Sequence, residues 1–225
     1  MNLMRLLYIS IPLLILFSCS ETEEDKPKEW QSKKVGEVTE IETIYEDGEF
    51  ENPMHFKLLK ELDVCGPEEP ECPRCATCSP GFFRFFDIRK EGSMENLFAV
   101  QVKALTILKN EENANPTREV RVYIRENGRL VESNRLKGYI MEQITSASGI
   151  DDLMVRFFRV VDDEDTFFNC LFQWSEKDKK YKYVSVERIE GKNWGGDVKE
   201  SLKKETSQQV YNELKAEGFI EGILQ

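Results

Sequence analysis

Three features of the sequence predict an α+β fold dominated by an antiparallel meander with a C-terminal helix packed on it. The first is a series of three β-rich runs, residues 153–161, 167–174 and 181–189, separated by short charged stretches. The second is Asn127-Gly128, placed where one β-rich run gives way to the next; both residues tolerate positive φ, as a two-residue hairpin turn requires. The third follows Trp194-Gly195-Gly196: Val198, Leu202, Val210 and Leu214 recur at helical spacing, with Asp197 as the expected cap and Gly218 as the stop.

The remaining elements follow in chain order. Asn52-Pro53 places a capping side chain before a proline at the first helical position, predicting a short helix through Leu62 with Phe56, Leu59 and Leu62 as its apolar stripe. Residues 65–80 form a cysteine loop. A strand is expected over 81–88 and a longer one, rich in Val, Ile and Leu, over 96–108. Residues 119–125 alternate Val120, Val122 and Ile124 against Arg121 and Tyr123. In the middle run of the meander Phe168, Cys170, Phe172 and Trp174 share one face by period-two geometry, the expected core face.

A chain of 225 residues with 40% hydrophobic content fits one domain with appendages. Its net charge of −11 argues against general nucleic-acid binding, which needs a basic footprint. The acidity is uneven. Residues 20–52 hold 12 acids and four bases, a net of −8, which leaves about −4 for residues 53–225. The division is therefore an N-terminal segment over 1–18, an acidic tether over 19–52 whose early part is expected to be disordered, and an α+β domain over 53–225. Within the tether, residues 38–45 have some strand character.

Residues 1–18 read as a targeting segment. Arg5 supplies the positive region, and residues 6–17 run apolar without a charge. Twelve helical residues cover only about 18 Å, too short for a stable membrane span. Leu16-Phe17-Ser18-Cys19 resembles the lipobox of bacterial lipoproteins. That resemblance implies cleavage after Ser18, a diacylglyceryl thioether on Cys19, acylation with chains such as palmitate, and membrane attachment through the lipid. Ser20 is not the aspartate that retains many lipoproteins at the inner membrane. Ser20-Glu21-Thr22-Glu23-Glu24-Asp25 also resembles the export signal of surface lipoproteins, although a solvated spacer is the plainer reading. The implied location is the outer membrane, on its surface or periplasmic face.

Cys65, Cys72, Cys75 and Cys78 are the densest cluster of reactive residues. In an exported chain disulfide pairing is the first reading. Four thiolates also suit tetrahedral zinc, and Cys72-Pro73-Arg74-Cys75 resembles the C-P-x-C form of thioredoxin-like redox sites. Cys170 reads as a small buried hydrophobe, with a bridge to the loop as the alternative. Asp162-Asp163-Glu164-Asp165 lacks the glycine and glutamate spacing of an EF-hand and reads as a charged turn. Trp194, in a glycine-containing loop before a helix, is a weak candidate for stacking on a sugar. Arg118, Arg121, Arg125, Arg129 and Arg135 read as a solvated face balanced by acids, and His55 as a helix-surface residue.

No phosphate-loop, dinucleotide, serine-hydrolase or zinc-protease motif occurs. The sequence thus points to a lipid-anchored envelope protein acting as a binding or structural module. The expectation is no cofactor and no metal, with envelope proteins or glycans as partners. The alternative is a thiol-disulfide or other envelope enzyme built on the cysteine loop.

Overall fold

Asn52 opens the first helix by accepting a hydrogen bond from the Met54 N–H at 3.0 Å, and Pro53 follows with its φ already helical. The computed structural model describes residues 49–66, 75–90, 92–103, 105–109, 117–191 and 195–221, all within the unit Val38–Gln225. Residues 1–48, with Cys19 and the strand-like stretch 38–45, lie outside the described residues, as do Cys72 and Trp194. Helix α1 spans Pro53–Leu62 and ends at Asp63, whose φ is 52°. Its buried stripe runs through Leu58 and Leu59, with Leu62 packed beside them. Phe56, expected inside, is 45% exposed with the Lys60 ammonium over its ring.

The strands are β1 (Phe83–Phe86), β2 (Leu97–Val102), β3 (Val120–Glu126), β4 (Arg129–Leu136), β5 (Tyr139–Ile144), β6 (Asp152–Val161), β7 (Glu164–Ser175), β8 (Lys180–Glu190), β9 (Gly195–Asp197) and β10 (Ile220–Glu221). Helix α2 spans Glu200–Ala216. The fold is α+β and mostly antiparallel, in two sheets rather than a single meander. One has the order β1-β2-β3-β4-β10 and the other β5-β6-β7-β8-β9. The second sheet contains the expected three-run meander, extended by one strand on each side.

Two hairpins use turns that the sequence makes cheap. Asn127 and Gly128 both have positive φ between the paired Glu126 and Arg129. Asp162 and Asp163 do the same between Val161 and Glu164, since aspartate tolerates the left-handed region. The acidic turn is therefore two residues long, and Glu164 and Asp165 already belong to β7.

The chain passes from the first sheet to the second in only two residues, Lys137 and Gly138. A side chain at Gly138 would meet the Arg156 carbonyl oxygen at 2.5 Å, so only glycine lets the backbone cross that close to β6. The expected strand over 96–108 stops at Val102. Beyond it the Lys103 N–H turns to the Phe82 carbonyl, and Ile107 pairs with Cys75 of the cysteine loop.

Both sheets contribute to the main core. Leu97, Ala99, Val122 and Leu136 meet Leu153, Val155, Phe157, Phe168, Cys170 and Phe172, and Val210 and Leu214 of α2 join them. The other face of the first sheet carries Phe83, Phe98, Val100, Val102 and Tyr123 against Leu58 and Leu59 of α1. This explains the apolar run Leu97-Phe98-Ala99-Val100 in β2: a strand covered on both sides favours apolar residues on both faces, and only Gln101 interrupts the pattern, where it accepts from the Ile140 N–H.

His55 stacks on Phe85 with ring centroids 4.3 Å apart and an interplanar angle of 6°, and Phe50 packs edge-on against it. It is thus part of the second core, and burial lowers its pKa.

Strand β8 has a strand neighbour on its outer edge only at Arg188–Glu190, where β9 pairs. Elsewhere on that edge the Glu187 carbonyl accepts from the Val198 N–H at 2.9 Å, and side chains take three further backbone groups. The Tyr181 N–H donates to Asn134 Oδ1 at 2.7 Å, and Asn134 Nδ2 donates back to the Tyr181 carbonyl at 3.0 Å. The Val186 N–H donates to Ser207 Oγ of α2 at 3.0 Å. Two register shifts leave Val184 and Glu187 without a partner on β7, adding twist to β8 where α2 lies against it.

The helix begins at Glu200 rather than after Asp197. Asp197 lies in β9, paired with Arg188, and the N-cap position is Lys199 with no side-chain capping bond. Leu202 is 52% exposed, while Ser207 takes a buried place in its stead.

Two outcomes follow. Asn134→Ala leaves the Tyr181 N–H and carbonyl buried without partners and should cost about 2–4 kcal/mol in urea unfolding. Between pH 7 and pH 5 the sole histidine contributes to the pH dependence, ahead of carboxyls such as Asp178 that are held below their ordinary range and lose their contribution at lower pH. The unfolded state binds the histidine proton first, so the His55 contribution is complete above the ordinary value of 6.5 and is lost as pH falls through the lowered folded value. The urea midpoint should therefore drop between pH 7 and pH 5, and less steeply in His55→Phe, which keeps the stack.

Candidate functional site

Cys65 and Cys78 form a disulfide with Cα atoms 5.3 Å apart. It joins the residue just beyond α1 to the turn that leads into β1. Cys75 is also disulfide-bonded and is only 8% exposed. Around it the Gly66 N–H donates to the Ala76 carbonyl at 2.7 Å, and the Ala76 N–H donates to the Ile107 carbonyl at 3.1 Å. The disulfide consumes two of the four thiolates that a zinc site would use. Among the described residues Cys75 is followed by bends and turns into β1 rather than by a helix of the kind that follows a thioredoxin-like motif. The Cys65–Cys78 bond ties the end of α1 to the turn before β1.

Cys170 is a free thiol, fully buried on β7 and with no bridge to the loop. Burial pushes its pKa up, which keeps it protonated and unreactive. No group of three or more metal-ligating side chains occurs among the described residues.

The arginine-rich hairpin differs from the solvated face its sequence suggests. Arg121 and Arg135 are direct neighbours across β3 and β4, a repulsive arrangement on its own. Glu132 takes both, at 3.4 Å from Arg121 Nη1 and 2.8 Å from Arg135 Nε. Arg121 Nε also donates to Glu119 at 2.5 Å, and both of these side chains are under 5% exposed. Arg125 grips Glu61 of α1 with two hydrogen bonds of 2.6 and 2.9 Å. The same period-two geometry that places Val120 and Val122 in the main core turns Arg121 toward the face roofed by α1. A depression of about 480 Å³ lies here, but its arginines at 121 and 135 are engaged by glutamates.

The larger feature is an open groove of about 900 Å³ between β8 and α2. Five lysines line it against two carboxylates, Asp178 and Glu200, on a chain whose net charge is −11. Lys182 pairs with Asp178, and hydrogen bonds from Lys182 and Ser175 hold that carboxyl at about 2. Lys203 pairs with Glu187 at 2.7 Å, and that bond raises its own pKa. Among the described residues no carboxylate pairs with Lys180, Lys204 or Lys215. The Lys215 ammonium lies 5.8 Å from the centre of the Tyr211 ring, which packs 5.1 Å from Tyr183.

Packing of α2 defines this groove. The Tyr183 hydroxyl donates to the Ser207 carbonyl at 3.0 Å, and Arg159 of β6 holds Glu213 and Glu217 on the helix. The sequence signal was split: Lys180 and Lys182 alternate on one strand, while Lys203, Lys204 and Lys215 lie on a helix more than 20 residues later. Only the docking of α2 puts them together. The chain matches no protein-family model, no characterised protein and no solved structure.

Loss of the Cys65–Cys78 bond by a double change to serine should lower stability by about 3 kcal/mol, the chain-entropy value for a loop of this size. The chemical-denaturation midpoint measures it, and chemical reduction of the wild type, which also opens the Cys75 bridge, should lower the midpoint at least as far.

Proposed function

We propose that the chain is a lipid-anchored cell-envelope lipoprotein that works as a non-catalytic binding module, with the groove between β8 and α2 as its binding surface. The single observation that carries the binding reading is the concentration of lysines along an open groove of about 900 Å³ on an acidic chain. Among the described lining residues five lysines against two carboxylates give the groove a local positive excess, which raises the local concentration of anionic ligands and disfavours cationic ones.

The anchoring half of the proposal rests on the lipobox resemblance at residues 16–19, followed by the acidic tether at 20–52. The Cys65–Cys78 disulfide supports export, because such bonds persist in oxidising compartments and not in the reducing cytosol. Outer-membrane attachment, on the surface or the periplasmic face, goes with the absence of aspartate after Cys19.

Metabolic labelling with palmitate tests the anchor. The wild-type protein should take up label and sediment with membranes, and Cys19→Ser should do neither. A wild-type protein that remains unlabelled and soluble would overturn the lipoprotein reading.

A further inference from the structure

We propose that the groove between β8 and α2 accepts an acidic polysaccharide, a sugar polymer bearing carboxylate or sulfate groups. The inference rests on the reading of this groove as the binding surface and names its ligand class. Three observations select it.

The first is the type and placement of the charge. Lys204 and Lys215 are 11 residues apart on one helix, about 16 Å at helical rise, and Lys180 stands on the facing strand. Cations at that spacing match repeated anionic groups along an extended ligand better than a single compact anion. The groove contains no arginine, so it lacks the planar fork that favours bidentate phosphate binding. Glu200 in the first turn of α2 also opposes an anion at the helix N-terminus.

The second is the scarcity of apolar pockets. Val184 and Ile220 are the aliphatic residues lining the groove. Peptide grooves rely on apolar anchors seated in pockets; here the apolar surface comes mainly from the rings of Tyr181, Tyr183 and Tyr211, which suit the flat face of a sugar.

The third is the combination of an aromatic ring, an ammonium and an amide. Tyr211 is half-buried beside Lys215, and Gln208 is exposed one helical turn earlier. A sugar acid can lay its CH face against the Tyr211 ring, direct its carboxylate to Lys215 and exchange hydroxyl hydrogen bonds with Gln208.

The test uses the full folded chain from Cys19 with Cys19→Ala, immobilised and challenged with polygalacturonate, dextran sulfate, uncharged dextran and poly-L-glutamate. The two acidic sugar polymers should be retained with strong salt dependence, and uncharged dextran should not. Lys180→Glu with Lys204→Glu should weaken retention about tenfold or more. Tyr211→Ala should weaken the acidic sugars about threefold to tenfold. The two lysines lie at the edge of the groove, and an unchanged unfolding midpoint confirms the fold of their double variant; Tyr211 packs on Tyr183, so an unchanged circular dichroism spectrum confirms the fold of Tyr211→Ala.

Equal retention of poly-L-glutamate, with no effect of Tyr211→Ala, would overturn the sugar assignment while leaving the groove as a polyanion site. Retention that persists in the double lysine variant would instead remove the groove as the binding surface. Failure to retain any of the charged polymers would overturn the proposal.

Discussion

The outer edge of β8 is the constraint on which the rest of the architecture depends. A strand of eleven residues with a strand partner on that side at only three of them exposes backbone groups that must be satisfied. Side chains from two other elements satisfy three of them, and the Val198 N–H takes the Glu187 carbonyl. Asn134 of β4 pairs with both backbone groups of Tyr181, imitating a neighbouring strand and tying the two sheets together. Ser207 of α2 accepts from the Val186 N–H and sets the depth at which the helix lies. Because the edge is closed by side chains rather than by another strand, space remains between β8 and α2, and that space is the groove.

The first sheet is buried on both faces, yet the two sides are stabilised differently. Toward the second sheet the contacts are mainly apolar, joined by the hydrogen bonds of Asn134 to Tyr181 and of the Ile140 N–H to Gln101. Toward α1 an apolar cluster gives way to the network of Glu119, Arg121, Glu132 and Arg135. Buried ion pairs add little net stability, because desolvation offsets most of the attraction, but removing one partner strands the other. The network therefore specifies the register of β3 on β4 more than it strengthens the pairing. The Cys65–Cys78 bond acts on the same face by a different route, restricting the unfolded chain and tying the end of α1 to the turn before β1. The arrangement matters because α1 has only ten residues and could not remain helical alone.

The charge distribution links fold to function. Residues 20–52 account for most of the net negative charge, leaving the folded part near balance. Within it the cations at 121, 125, 135 and 159 are engaged in short ion pairs with glutamates. The lysines of the β8–α2 groove are the contrast: they are point charges on flexible stems, part of them without an acidic partner, along an open surface. That difference separates charge that maintains the structure from charge available to a ligand.

Local chemistry determined much of the fold from the sequence alone. Asn52 and Pro53 start α1 where they must, Asn127-Gly128 and Asp162-Asp163 turn their hairpins, and the alternation of Phe168, Cys170 and Phe172 assigns the core face of β7. Each of these depends on neighbours within a few residues. What required tertiary structure was every feature that joins distant segments. The second sheet, the inward turn of Arg121, the outward turn of Phe56 and the late start of α2 depend on which face is covered by another element, and a periodic pattern does not say by what. Asp197 was a sound cap by its neighbours, yet pairing with Arg188 drew it into β9. The lysines of the groove belong to this second class: spacing along the chain shows two unremarkable basic stretches, and only the packing of α2 on β8 makes them one surface.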